Sequence, residues 1–273
     1  MALRIRNQER TRAGQGEPAS GELARDFSLL RERAPLVYCL GNSVGRPLMA
    51  NALLALGASP AMVSAASEVA QFVGQADALV VNLGSLTEDG AGIARQAAAL
   101  AVEEKKPWLL DPTAIGSLSL RTGLAHELLS LRPDIVKGNA SEILSLAGED
   151  GRGRCADATQ PPERALEAAM LLAGRAGSVV VITGATDYVT NGEDCLRVEG
   201  GHWLMSRVTG TGCALGAAIG GFLGAGLEPW RAAVAGVNAF ALAGARAGAA
   251  VKGPGSFASE LLDRLYLLGQ NDR

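Results

Sequence analysis

The chain has 273 residues, 48% of them hydrophobic, with 35 glycines and a formal net charge of −3. That length suits one large α/β domain or two small ones, and so many scattered glycines exclude a plain helical bundle. With aromatic residues at 4% and no basic stripe, the chain offers no surface for stacking or steering nucleic acid, which is not an expected partner.

The first 20 residues carry Arg4, Arg6, Arg10 and Arg12, interrupted by Glu9 and Glu17. They read as a disordered tail rather than a targeting peptide. Residues 21–273 read as a single domain. Gly21–Arg33 has the pattern of a short amphipathic helix, and Pro35–Leu40 that of a strand running into the loop Gly41-Asn42-Ser43. Leu48–Leu56 is helical and ends at Gly57, a good C-terminal cap. Ala61-Met62-Val63 is a short apolar run, and Ala78–Leu83 a buried strand closed by Gly84. A helix over Ala91–Glu104 precedes the strand Trp108-Leu109-Leu110, which ends in Asp111-Pro112. Leu120–Leu131 is helical, Asp134–Lys137 a strand ending at Gly138-Asn139, and Ser141–Leu146 the start of another helix. Gly148–Gln160 reads as a surface loop, Pro162–Ala173 as a helix, and Ser178–Ile182 as the strongest strand, ending at Thr183-Gly184. Two strands, Tyr188–Thr190 and Cys195–Val198, flank Asn191-Gly192 in a hairpin pattern. A strand-like approach ending in Arg207-Val208 leads to a Gly-Thr-Gly turn at 210–212. Two Ala/Gly-rich helices follow, over Cys213–Ala225 and Pro229–Ala250.

Strands that alternate with helices imply a mostly parallel sheet covered on both faces. Ligands then sit beyond the carboxyl ends of the strands. Four of those ends carry polar residues, at Asn82, Asp111, Lys137-Gly-Asn139 and Thr183, and they are expected to converge with the 209–213 turn.

The turn aims free backbone N–H groups and a helix dipole at one point, a site for an anion such as phosphate. Cys213 sits at that helix N-terminus, where a thiolate would be favoured; a small buried hydrophobe is the plainer reading. Asp111 could hold Mg²⁺ directly or through water, or merely close a turn. Glu142 could orient metal-bound water, or support the start of its helix. Lys137 and Thr183 could contact a nucleotide's phosphates, or be a solvated lysine and a strand-end hydroxyl. A Rossmann fingerprint and a Walker loop are both missing. Cys39, Cys155, Cys195 and Cys213 form no Cys-x-x-Cys pair, and only two histidines exist, so zinc is not expected. The longest apolar tract, Ala214–Leu227, is short for a membrane span, and a soluble cytoplasmic protein is expected, with no membrane partner.

Val208-Thr-Gly-Thr-Gly-Cys213, Leu109-Leu-Asp-Pro112, Gly138-Asn-Ala-Ser-Glu142, Val181-Ile-Thr-Gly184, Asn51–Met62 and Lys252-Gly-Pro-Gly-Ser-Phe257 together resemble the hydroxyethylthiazole kinase family, in its motif order, over about residues 30–265. The resemblance implies a ribokinase-like three-layer α/β sandwich. It implies ATP-dependent phosphorylation of 4-methyl-5-(2-hydroxyethyl)thiazole in thiamine salvage, with Mg²⁺ as cofactor and a homotrimer as the assembly. By position, Cys213 stands where most ribokinase-like kinases have a catalytic Asp, and its implied role is proton acceptor. Met62, Gly210 and Asn42 match substrate positions, Met62 reaching a neighbouring subunit's site. Lys137, Thr183 and Gly212 match ATP positions, and Asp111 and Glu142 the acidic positions near Mg²⁺. Where the family usually reads Asn-x-Val-Val-x-Asn-Phe-Thr-Ala-Asn, this chain has Asn42-Ser-Val-Gly-Arg-Pro-Leu-Met-Ala-Asn51. A kinase for another small alcohol, or an inactive homologue that only binds thiazole or nucleotide, fits the same motifs.

Overall fold

The computed structural model describes residues 4–7, 21–149, 161–268 and 270. Nine strands form one sheet: β1 (Arg4–Asn7), β2 (Leu36–Gly41), β3 (Ser59–Ala61), β4 (Ala78–Asn82), β5 (Trp108–Asp111), β6 (Ile135–Asn139), β7 (Val179–Thr183), β8 (Thr186–Thr190) and β9 (Asp194–Glu199). Their order is β1-β9-β8-β7-β6-β5-β4-β2-β3. Every pairing from β3 across to β7 is parallel, β8 and β9 add an antiparallel hairpin, and β1 runs parallel to β9. The expected tail is therefore corrected at 4–7, which pair with Asp194–Arg197 as an edge strand. Residues 8–20, most of the expected 148–160 loop, and Cys155 lie outside the described residues.

Helices cover both faces. On one lie α1 (Gly21–Arg33), α2 (Arg46–Leu56), α8 (Thr211–Gly224), α9 (Pro229–Ala250) and α10 (Pro254–Leu267). On the other lie α3 (Val69–Gln75), α4 (Glu88–Glu103), α5 (Ser119–Leu129), α6 (Ala140–Leu146) and α7 (Leu166–Ala176). Alternation along the strands divides the core accordingly. Val37, Val80, Leu109 and Ile135 face the first layer, and Tyr38, Leu79, Leu110 and Val136 the second. Because both faces are buried, the strands read as continuous apolar runs. Local chemistry sets the helix ends. Thr87 Oγ1 accepts from the Gly90 N–H at 3.0 Å, and Glu88 and Asp89 occupy the first turn of α4. Gly57 ends α2 with φ 99°, as its position after Leu56 suggests.

Two local expectations change. Residues Trp203–Arg207, expected to be strand-like, form a 3-10 turn begun by His202, whose ring nitrogen accepts from the Leu204 N–H at 3.3 Å. Among the described residues α9, rather than the 214–227 tract, is long and apolar enough to cross a membrane, but 67% of its apolar window is buried inside the fold.

Helix α8 places glycine at every fourth position: Gly212, Gly216, Gly220 and Gly224. Residues four apart share a helix face. A Cβ at Gly216 would stand 3.3 Å from Asp111 Oδ2, one at Gly220 would overlap Val80, and one at Gly224 would meet Ala78 at 3.3 Å. The glycine row lets the α8 backbone lie directly on β5, β4 and the start of β4. Its N-terminus is thereby seated above the carboxyl ends of the central strands.

Candidate active site

The sheet ends its α8-facing rows in polar groups. Asn82 follows Val80, Asp111 follows Leu109, and Lys137 follows Ile135, each two residues on and so on the same face. Asn82 and Asp111 are register partners. All three are buried. The Lys137 ammonium donates to Asp111 Oδ2 at 2.7 Å and to the Gly212 carbonyl at 3.0 Å. The same carboxylate oxygen accepts from Asn82 Nδ2 at 2.7 Å, and Oδ1 accepts from Thr113 Oγ1 at 2.8 Å. Burial opposes the lysine's charge, but Asp111, Cys213 and Glu142 outweigh it and leave its pKa above the ordinary value. The ion pair is thus a fixed strut between the sheet and the first turn of α8.

That turn begins at Gly210, with φ 85° and the Gly45 Cα 3.0 Å from where a Cβ would be. Only glycine meets both conditions without strain. The N–H groups of the first turn of α8 face a cleft of about 820 Å³. Asp111, Lys137, Glu142, Thr183, Gly210, Gly212 and Cys213 all line it, so the structure gathers seven of the sequence-predicted residues in one place.

Asn42 and Met62 lie elsewhere. Asn42 sits behind the cleft wall, with its amide against Cys213: Nδ2 donates to Sγ at 2.8 Å. Met62, just past the edge strand β3, packs partly buried against the first core layer and does not line this chain's cleft.

Glu142 closes a capping box. Its Oε2 accepts from the Asn139 N–H at 2.8 Å, while Asn139 Oδ1 accepts from the Glu142 N–H at 3.0 Å. Its other oxygen accepts from the Ala114 N–H at 2.8 Å, holding the loop after β5 where Ala114 has φ 64°. Burial first, then the repulsion of Asp111, raises its pKa to about 7. Both carboxylates therefore spend their near lone pairs on protein donors. They suit a hydrated cation, whose waters can donate to the remaining lone pairs, better than a bare one. Among the described residues no cluster of three or more His, Cys, Asp or Glu side chains is placed to hold a metal directly.

The thiol is a correction. Burial raises the Cys213 pKa, Asp111 raises it further, and Lys137 with the amides of Asn82 and Asn42 only partly offsets this. The helix N-terminus does not by itself make a thiolate here.

Asp187 is a site residue the sequence reading missed. It lines the cleft beside Thr183, and Oδ1 accepts from the Gly184 N–H at 2.9 Å. Burial raises its pKa to about 7. Its place three residues after Gly184 marks a turn in sequence, and only the fold-back of β8 turns that carboxylate toward the cleft.

A mostly parallel sheet, helices on both faces and a glycine turn over the strand ends give the chain a ribokinase-like α/β fold. A ribokinase-like superfamily protein from Enterococcus faecalis shares that fold, with TM-score 0.64 and 15% identity over 93% of this chain and 92% of that one. More narrowly, the family model for hydroxyethylthiazole kinase matches residues 27–271. A hydroxyethylthiazole kinase from Granulibacter bethesdensis is 50% identical over 242 residues, covering 89% of this chain and 88% of its own length. The solved structure of a hydroxyethylthiazole kinase protein from Pyrococcus horikoshii matches with TM-score 0.82 and 39% identity, over 89% of this chain and 92% of that one. The chain belongs to the hydroxyethylthiazole kinase family.

Proposed function

We propose that the chain transfers the γ-phosphoryl group of ATP to the hydroxyl of 4-methyl-5-(2-hydroxyethyl)thiazole, as a cytoplasmic enzyme of thiamine metabolism. The observation that carries this reading is the Asp111–Lys137–Gly212 strut, which fixes the anion-binding turn over the strand ends with Cys213 beside it. The γ-phosphate would rest on the N–H groups at the start of α8, with Gly210 and Gly212 leaving the backbone bare. Lys137 and Thr183 would hold the phosphate chain from the sheet side. Asp111 and Glu142 would hold Mg²⁺ through its water shell, and the cation would offset phosphate charge.

The substrate alcohol would lie next to Cys213. Its oxygen forms the new bond to phosphorus as the bond to the β-phosphate bridging oxygen breaks, and ADP leaves with that electron pair. The alcohol proton passes to the Cys213 sulfur. Transfer through a loose transition state needs little help from a base, so the minor thiolate form of a sulfur whose pKa is raised can suffice as the acceptor. Positioning by the turn and charge stabilisation then carry most of the rate.

In this reading Met62, which packs outside its own chain's cleft, would meet the cleft of a neighbouring copy in a homotrimer, as the family resemblance implies. ADP release measured with hydroxyethylthiazole against a panel of small alcohols tests the proposal. Preferred turnover of the thiazole alcohol is expected. Faster turnover of another alcohol would replace the substrate, and nucleotide binding without any turnover would leave a binding protein.

A further inference from the structure

Asn42 lies at the end of β2, where the chain turns toward α2, and is 8% exposed. Its backbone takes φ 40°, a left-handed conformation that asparagine tolerates better than most residues. The backbone N–H donates to the Gly84 carbonyl at 2.9 Å, which fixes the loop to the end of β4. The orientation of the side-chain amide is determined by its neighbours. Oδ1 accepts from the Gly45 N–H at 3.2 Å and from Ser85 Oγ at 3.4 Å, so it is the oxygen that faces donors. Nδ2 is thereby left to face the Cys213 sulfur at 2.8 Å.

Two glycines keep the seat open. A Cβ on Gly84 would stand 2.5 Å from Asn42 Nδ2, and one on Gly45 3.1 Å from the Cys213 Cβ and 3.3 Å from its sulfur. Gly45, the first residue of the altered 45–49 segment, thus lies directly against the thiol.

We propose that Asn42 is a positioning residue for the reaction: its amide holds one sulfur lone pair of Cys213 inward, which turns the remaining lone pairs of the thiolate toward the cleft. This rests on the phosphotransfer reading of Cys213. A donor aimed at sulfur gains strength when the sulfur becomes anionic. Asn42 therefore favours the form that can take the alcohol's proton. The charged groups that face the thiol are Asp111 from β5, which opposes the anion, and Lys137 from β6, which favours it; Asn82 from β4 adds a second neutral amide.

The test reads the thiol directly. The full-length protein is alkylated with iodoacetamide across a range of pH, and the Cys213 peptide is quantified by mass spectrometry, which separates it from Cys39, Cys155 and Cys195. Asn42→Gly keeps the left-handed backbone and removes the amide; the midpoint for Cys213 is expected to rise by about one pH unit, the scale of one lost hydrogen bond to a charged group. The acid limb of the kcat pH profile should rise with it. Gly84→Ala displaces the amide without altering Asn42, and it decides the matter should Asn42→Gly not fold. An unmoved alkylation midpoint in the deciding variant overturns the proposal. A Cys213→Ala enzyme with unchanged turnover would instead overturn the phosphotransfer role of Cys213, and the alkylation result would stand apart from it.

Discussion

Replacing Lys137 by Met removes the cation of the strut while keeping its length. The lysine and Asp111 are 4% and 1% exposed, so water entering from the cleft replaces the lost partner poorly. Breaking a buried ion pair on one side costs about 3–5 kcal/mol, because the remaining charge stays buried and uncompensated. Asp111 keeps its bonds from Asn82 and Thr113, which places the cost near the lower end, about 3 kcal/mol. At roughly 2 cal/mol/K of unfolding entropy per residue, a chain of 273 residues converts this into a melting point lower by about 5 °C. Differential scanning calorimetry at pH 7.5 measures it. The double variant Lys137→Met/Asp111→Asn carries no isolated charge and should recover more than half of the loss. Both variants should be poor kinases, since the Gly212 carbonyl and the turn above it lose their support. A single variant that melts within about 1 °C of the parent, or a double variant no more stable than the single, would refute the reasoning that the strut is dry and charged.

Three further outcomes follow from the same geometry. Cys213→Ala should lower kcat at least tenfold while ADP affinity, read by isothermal titration calorimetry, changes less than about threefold; equal turnover would remove the thiol from the chemistry. Glu142 has a folded pKa near 7, above its value of 4.5 in an open chain, so the folded state binds the proton more tightly. Its stabilising contribution is therefore complete below pH 4.5 and is lost as pH rises through 7; urea midpoints for Glu142→Gln should show a flatter decline between pH 5 and 8 than the parent. Gly220→Ala forces a methyl group into Val80 and should cost about 1–3 kcal/mol, with Val80→Ala in the same chain recovering part of it; an unchanged urea midpoint would show that α8 can lift off the sheet freely.

The architecture was legible because both faces of the sheet are covered. Continuous apolar runs such as 78–81 and 179–182 then have one reading, and each is followed by a polar residue, Asn82 or Thr183, that marks the ligand edge. The hairpin was legible through Asn191-Gly192. Short α3 was not, since seven residues with Gly74 among them carry little helical period. α10 does carry a signal, in Phe257, Leu261 and Leu265 at four-residue spacing, all buried; reading 252–257 only as a motif left it out. In the site, residue types pointed to groups that the fold brings together at one cleft, but not to their bonds. Asn82 looked like strand-end punctuation and is a donor to Asp111, and Asn42 looked like a substrate contact and is tied to a thiol. The Cys213 pKa went the other way because a helix terminus is a local feature, whereas burial and the nearby Asp111 are properties of the assembled fold.

The glycine row of α8 has a consequence for how the molecule is made. Glycine inside a helix costs about 1 kcal/mol against alanine, and this helix carries the four of the row plus Gly221. A 14-residue segment so burdened has little helicity in isolation and takes shape by lying on a surface already built. All nine strands among the described residues precede it in the chain, so a ribosome releases the sheet they form before the glycine turn can form. Partly made chains then hold the carboxylates and the lysine but not the glycine turn above them, so the cleft is completed only when the last quarter of the chain has folded.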